Sequence, residues 1–199
     1  MNEILLEELK ERLNKKNTSR LETDERSVLA SVMLLLKPDS ERLDMLFIKR
    51  PDNPGDRFSG QMAFPGGKMH VDDADLLETA IRETREEVGI DLMKYGTVIG
   101  KLDDTRPSTR SADYIIVTPY VSIITHDVNI ITNEEVDEYI WIPLYHLMDE
   151  SNMRVRVKKI DDRYVNDYVF GFGKYIIWGM TGRVLKKFID EFGNVLNTG

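Results

Sequence analysis

The 199-residue sequence contains no cysteine, which excludes disulfides, thiolate zinc sites and a cysteine nucleophile. It has no long apolar run either. The longest, Val28 to Leu36, is far shorter than the ~20 residues of a membrane-spanning helix, so no membrane partner is expected. The opening "MNEILLEELKERLNKKN" places Glu3, Glu7 and Glu8 among its leucines. It therefore has neither the basic front nor the apolar centre of a secretory signal, and a cytoplasmic location is the expectation. Positive charge is scarce: 27 Lys and Arg against 35 Asp and Glu give a formal net charge of −8. That deficit argues against non-specific binding to nucleic acid or anionic membranes. It leaves room for a small phosphorylated substrate whose charge a metal offsets locally.

What is present fits a soluble globular chain of one domain, with 41% hydrophobic and 31% charged residues. Ile4, Leu5, Leu6, Leu9 and Leu13 recur at three- and four-residue spacing, so residues 3–15 are expected to form an amphipathic helix packed on its own domain. With a polar connection it makes up residues 1–26, and residues 27–199 the main domain. "VLASVMLLL" (28–36) and "LDMLFIKR" (43–50) read as strands joined by "KPDSE". Further strands are expected at 96–102, 113–124 and 138–144, the last followed by a short helix, and in "MRVRVKKI" and "RYVNDYVF". A helix is expected over 74–88, with Asp73 as N-cap and Gly89 as its stop, and another over 175–192. Strands interleaved with a few helices give an α/β class of the α+β type, with a mixed β-sheet sandwiched between α-helices.

The segment "RETREEVGI" (82–90) gathers Glu83, Glu86 and Glu87 at the tail of the 74–88 helix. Like charges at this spacing repel, and anions near a helix C-terminus oppose its dipole. At about 100° per residue, Leu77, Ala80, Ile81, Thr84 and Val88 fill one arc, and the three glutamates converge on an adjacent one. Glu78, Arg82 and Glu86 form a third line, so Arg82 is placed to pair with either neighbour. Glutamate-rich helix faces are commonly just solvated. Convergent oxygen ligands, however, suit a hard divalent cation such as Mg²⁺, and the five fixed positions of R-E-x-x-E-E-x-G, which here follow a GG, match by chance in on the order of one chain in 10⁴.

The arrangement resembles the Nudix box, G-x5-E-x7-R-E-U-x-E-E-x-G-U with U a bulky apolar residue, at Gly67, Arg82, Glu83, Glu86, Glu87, Gly89 and Ile90. The interval from Gly67 to Arg82 is one residue longer than in the box, the early glutamate falls at Ala74 with only Asp72, Asp73 and Asp75 nearby, and Thr84 replaces a larger apolar residue. The run "GQMAFPGGKMHVDDADLLETAIRETREEVGI" is similar to the branch of the Nudix hydrolases typified by coenzyme A pyrophosphatases, which has the same longer loop. The similarity extends through "VTPYV", "EEVDEYIWIPL" and "YIIWGMT".

The resemblance implies a Nudix fold and a pyrophosphohydrolase. Glu83, Glu86 and Glu87, with a carbonyl of Gly66 or Gly67, would hold Mg²⁺ or Mn²⁺ against a small-molecule diphosphate. Arg82 would orient the carboxylates, and Glu83 or Glu135 would act as general base. Arg50, Arg57, Lys68, Arg106 and Arg110 are candidate phosphate contacts, as is Lys49. In the upstream signature of the coenzyme A branch, L-L-T-x-R-S-A-x3-R-x3-G-x3-F-P-G-G, Leu46, Arg50, Gly60 and the FPGG agree, whereas Ile48, Pro51, Asp52 and Asp56 do not. Coenzyme A, cleaved to 3′,5′-ADP and 4′-phosphopantetheine, is therefore the leading substrate. ADP-ribose, other dinucleotides, nucleoside triphosphates and a non-catalytic binding domain are the alternatives. Relatives are often homodimers, so self-association is a further expectation.

Overall fold

The computed structural model describes residues 3–39, 42–56, 58–109, 112, 114–160 and 162–196. Arg57 and Arg110, two of the candidate phosphate contacts, lie outside the described residues, as does part of the "KPDSE" turn.

The structure is built around β1 (Val28–Asp39), whose apolar run is buried on both faces. Along its whole core segment it pairs in parallel with β6 (Ile115–Ile124), from Val28↔Ile115 to Leu36↔Ile123. Its other edge is shared. One end pairs with β2 (Arg42–Lys49), and the other end, Ala30 to Val32, pairs with the short β4 (Gly66–Lys68). The strand β3 (Met62–Ala63) and β7 (Glu138–Pro143) pair with β2, and β5 (Gly96–Lys101) pairs with β6. These seven strands form one mixed sheet. Strands β8 (Met153–Ile160), β9 (Arg163–Phe172) and β10 (Tyr175–Ile177) form a second, antiparallel sheet.

Alternation along β1 divides the core, because successive side chains point to opposite faces. Met33 and Leu35 join Leu46, Ile48, Ala80, Val88 and Ile90 under α2 (Leu76–Val88) and the single-turn α3 (Leu92–Tyr95). Leu34 and Leu36 join Phe47, Leu9, Leu13, Leu185 and Phe188 under α1 (Glu3–Lys15) and α5 (Gly179–Leu196). Near the end of β7 the five-residue α4 (Leu144–Met148) packs on β2. The expected sheet between helices is thus present, and α1 does pack on its own domain.

Two boundaries differ from expectation. The helix α2 begins at Leu76 with Asp75 as its N-cap, accepting from Glu78 N–H. Asp73 is drawn into the interior by other partners. The stretch 175–192 is not one helix either. Tyr175–Ile177 pairs with Phe170–Phe172 as β10, and the helix starts only at Gly179. Among the described residues no helix is long and apolar enough to cross a membrane.

Candidate active site

The glutamates of α2 are brought against the glycine pair of β4. Glu87 is only 1% exposed and accepts a hydrogen bond from Gly66 N–H at 2.8 Å. A Cβ on Gly66, whose φ is +153°, would stand 2.2 Å from Ser31 O, and a Cβ on Gly67 would stand 2.4 Å from Glu83 Oε1. Both positions therefore need glycine, one for the strand to seat on β1 and the other for the helix carboxylate to approach it.

Arg82 organises the rest. Its Nη1 donates to Glu83 Oε1 and to Glu86 Oε2, both at 2.9 Å, and its Nε and Nη2 donate to Asp73 at 2.9 and 3.0 Å. Asp73 is buried and also accepts from Thr79 Oγ1 and from His70 N–H. The Arg82 guanidinium holds the Asp73 carboxyl well below the usual carboxylate range. Asp73 thus grips the arginine where the early glutamate of the box is missing. The expected alternative pairing of Arg82 with Glu78 does not form. Glu78 accepts instead from Ala74 N–H and caps the helix start. Thr84, the other departure, is buried and satisfied by Ala80 O at 2.7 Å.

Burial raises the Glu83 pKa against the pull of Arg82, with Glu86 and Glu135 adding repulsion. Burial pushes the Glu87 carboxyl up to about 8, offset in part by Gly66 N–H and the Arg50 charge, with Glu83 and Glu135 again repelling it. Glu135 reaches this neighbourhood because its loop is stitched to the end of α2, through Ile131 N–H to Val88 O and Asn133 N–H to Glu87 O. Among the described residues no three acidic or imidazole side chains close around one point in this arrangement, since Glu83 and Glu86 are turned to Arg82. The donor chemistry nevertheless fits a hard cation: carboxylates and backbone carbonyls, one carboxylate buried with little to balance its charge.

Residues 27–164 match the family described as NUDIX domain, well over half of the chain. The chain belongs to the Nudix hydrolase family. It is 32% identical over 151 residues to the Nudix hydrolase NudL of Yersinia pestis, covering 74% of this chain and 71% of NudL. In fold it is similar to a MutT/nudix family protein from Enterococcus faecalis, with a TM-score of 0.56 at 17% identity over 97% of this chain and 74% of that one. It is likewise similar to an Ap4A hydrolase from C. elegans, with a TM-score of 0.50 at 17% identity over 61% and 83% of the two chains. As a Nudix hydrolase the protein is a pyrophosphohydrolase.

Beside Gly66 this Nudix hydrolase has a cleft of about 540 Å³. Arg50 lines it, ion-paired to Asp56 at 2.9 Å. Lys68 and Arg106, also expected at the phosphates, do not line it. The Lys68 carbonyl serves Arg82, and Arg106 Nη2 donates to Glu22 O at 2.7 Å. Lys49 pairs with Asp137 and Glu138. The far wall comes from the second sheet and the start of α5, with Lys158, Lys159 and Trp178. Sequence reasoning passes over these three. "VKK" on an exposed strand is an ordinary solvated pattern, and only the docking of the second sheet brings it to the cleft.

Proposed function

We propose that this Nudix hydrolase cleaves the diphosphate linkage of a nucleoside-diphosphate derivative with the help of Mg²⁺ or Mn²⁺, and that coenzyme A, yielding 3′,5′-ADP and 4′-phosphopantetheine, is the leading substrate. The catalytic domain is taken to be residues 27–199. The observation that carries the reading is the buried Glu87 carboxylate, set on the N–H of Gly66, which itself lines the same cleft as Arg50. Glu83, Glu86, Glu87 and a carbonyl of Gly66 or Gly67 would hold the cation. Once bound, it supplies charge neutralisation for the diphosphate and acidifies water.

The chain's own residues supply the remainder. Arg82, anchored by Asp73, keeps Glu83 and Glu86 on the same side of α2. Arg50 lies near enough to Glu87 to lower its pKa and offers a guanidinium to a phosphate oxygen beside it. The general base is assigned to Glu135, because its loop is hydrogen-bonded to the end of α2 at Glu87 and Val88 while Glu83 is already engaged by Arg82. Glu135 takes a proton from the attacking water, the new P–O bond forms, and the bridging oxygen leaves with its phosphate.

The test is a hydrolysis panel with Mg²⁺ or Mn²⁺, covering coenzyme A, ADP-ribose, NADH, dinucleoside polyphosphates and dNTPs, run on wild type, Glu86→Gln and Glu87→Gln. Turnover of a diphosphate is expected, with kcat reduced about 10²-fold or more in each variant at unchanged fold. Unchanged turnover in either variant removes the mechanism. Ligand binding without any turnover in the wild type favours a binding domain.

A further inference from the structure

Strand β2 ends in two cations that go separate ways. Arg50 lines the cleft and Lys49 does not. The Lys49 ammonium donates to Asp137 Oδ2 and lies 3.7 Å from Glu138 Oε1, and the Lys49 carbonyl accepts Asp137 N–H at 2.9 Å. Glu138 is the cross-strand partner of Lys49 on β7. It also accepts from Tyr175 Oη at 2.7 Å and lies 2.6 Å from Lys174 Nζ, which carries the network on to β10. An isolated ion pair on an open surface holds little in place. Here 24% of the Lys49 side chain is exposed, and its charge and its backbone grip the same residue.

These contacts fix one end of the loop that carries Glu135. The other end is fixed to α2, through Ile131 N–H to Val88 O and Asn133 N–H to Glu87 O, and Asn133 Oδ1 accepts Glu135 N–H at 2.9 Å. The Glu135 side chain is exposed, and among the described residues its carboxylate accepts no hydrogen bond and makes no ion pair. Nothing grips that carboxylate directly, so its place is set by its backbone. The backbone, in turn, is tied to the catalytic helix on one side and to Lys49 on the other.

We propose that Lys49 is a positioning residue for the reaction, which through Asp137 and Glu138 sets where the Glu135 carboxylate stands relative to the α2 glutamates. It touches neither the diphosphate nor the cation. In the sequence Lys49 is a candidate phosphate contact; in the fold its charge is spent on the loop of the base. The inference rests on the assignment of Glu135 as general base and deepens it. A reacting group displaced by about 1 Å costs on the order of 10²-fold in rate, and a displaced base slows the chemical step without loosening the hold on substrate.

The experiment compares Lys49→Met, which keeps the stem and removes the charge, with Lys49→Arg, on a diphosphate turned over in the panel above. Lys49→Met is expected to lower kcat about tenfold or more with KM within about twofold of wild type, and Lys49→Arg to recover most of the loss. The deciding measurement is the cycle with Glu135→Gln. If Lys49 acts through Glu135, adding Lys49→Met to Glu135→Gln lowers kcat no further. An additive loss in the double variant overturns the proposal. So does a loss confined to KM, which marks a phosphate contact. If Glu135→Gln alone keeps the wild-type kcat, the base assignment fails and takes the catalytic role of Lys49 with it. A crippled Glu135→Gln beside a normal Lys49→Met overturns the proposal alone. Amide hydrogen exchange gives a reading that needs no turnover: residues 133–138 should exchange about tenfold faster in Lys49→Met while residues 76–88 keep their protection. Unchanged exchange in that loop overturns the proposal.

Discussion

Glu87 shows how a buried carboxyl carries its charge at a cost to stability. Burial raises its carboxyl pKa from 4.5 to about 8. A carboxyl raised in this way binds its proton more tightly in the native state than in the unfolded chain. The stability it contributes is therefore fully present below about pH 4.5 and is lost as pH rises towards 8. In chelator-treated protein, denaturant titration should show wild type losing on the order of 2–4 kcal/mol relative to Glu87→Gln between pH 5 and 8. The variant, with no charge to bury, should be as stable as wild type or more so while being inactive. Parallel pH profiles for the two proteins would show that the Glu87 charge carries no such cost. The three glutamates are legible in the sequence because their spacing alone puts them on one arc. The role of Asp73 is not. It sits nine residues before Arg82, outside any helical repeat, and only the turn ahead of α2 folds it under the arginine.

Among the elements, β4 decides whether the helix carboxylates meet a backbone. Three residues of strand are enough, because Gly66 seats on β1 and Gly67 leaves room for Glu83. Gly66→Ala should lower stability by about 2–4 kcal/mol, since its added methyl meets main-chain atoms that cannot yield. Gly67→Ala meets a side chain instead, so thermal unfolding should move little while kcat falls with the displacement of Glu83. A drop in Tm for Gly67→Ala as large as for Gly66→Ala would contradict this division. The strands and α2 were readable from period and punctuation. The β10–α5 junction was not, because "YIIWGM" is apolar throughout and offers no period to separate a short strand from a helix start. It is this junction that delivers Trp178 to the cleft.

For the whole molecule, α1 and α5 are fastened to the sheet edge by a charged cluster at Asp103. Burial alone would raise this carboxyl, but Lys187, the Ser19 N–H and Lys16 outweigh it and hold it at about 2. Lys16 also pairs with Glu191 of α5. A depressed carboxyl contributes stability above its unfolded value of 3.8 that disappears as pH falls through about 2. Asp103→Asn should therefore cost about 2 kcal/mol near pH 6, with the gap from wild type closing between pH 4 and 2. A constant gap across that range would place the effect elsewhere.

The cleft lies on the seam between the two sheets, with Gly66 of the first on one side and Lys158 and Lys159 of the second on the other. The Gly66 side is locked into the seven-stranded sheet by a close backbone approach that tolerates little change. The far wall comes from the β8–β9 hairpin, much of which faces solvent, and from the start of α5. Substitutions along β8 can therefore reshape one wall of the cleft without disturbing how β4 seats on β1.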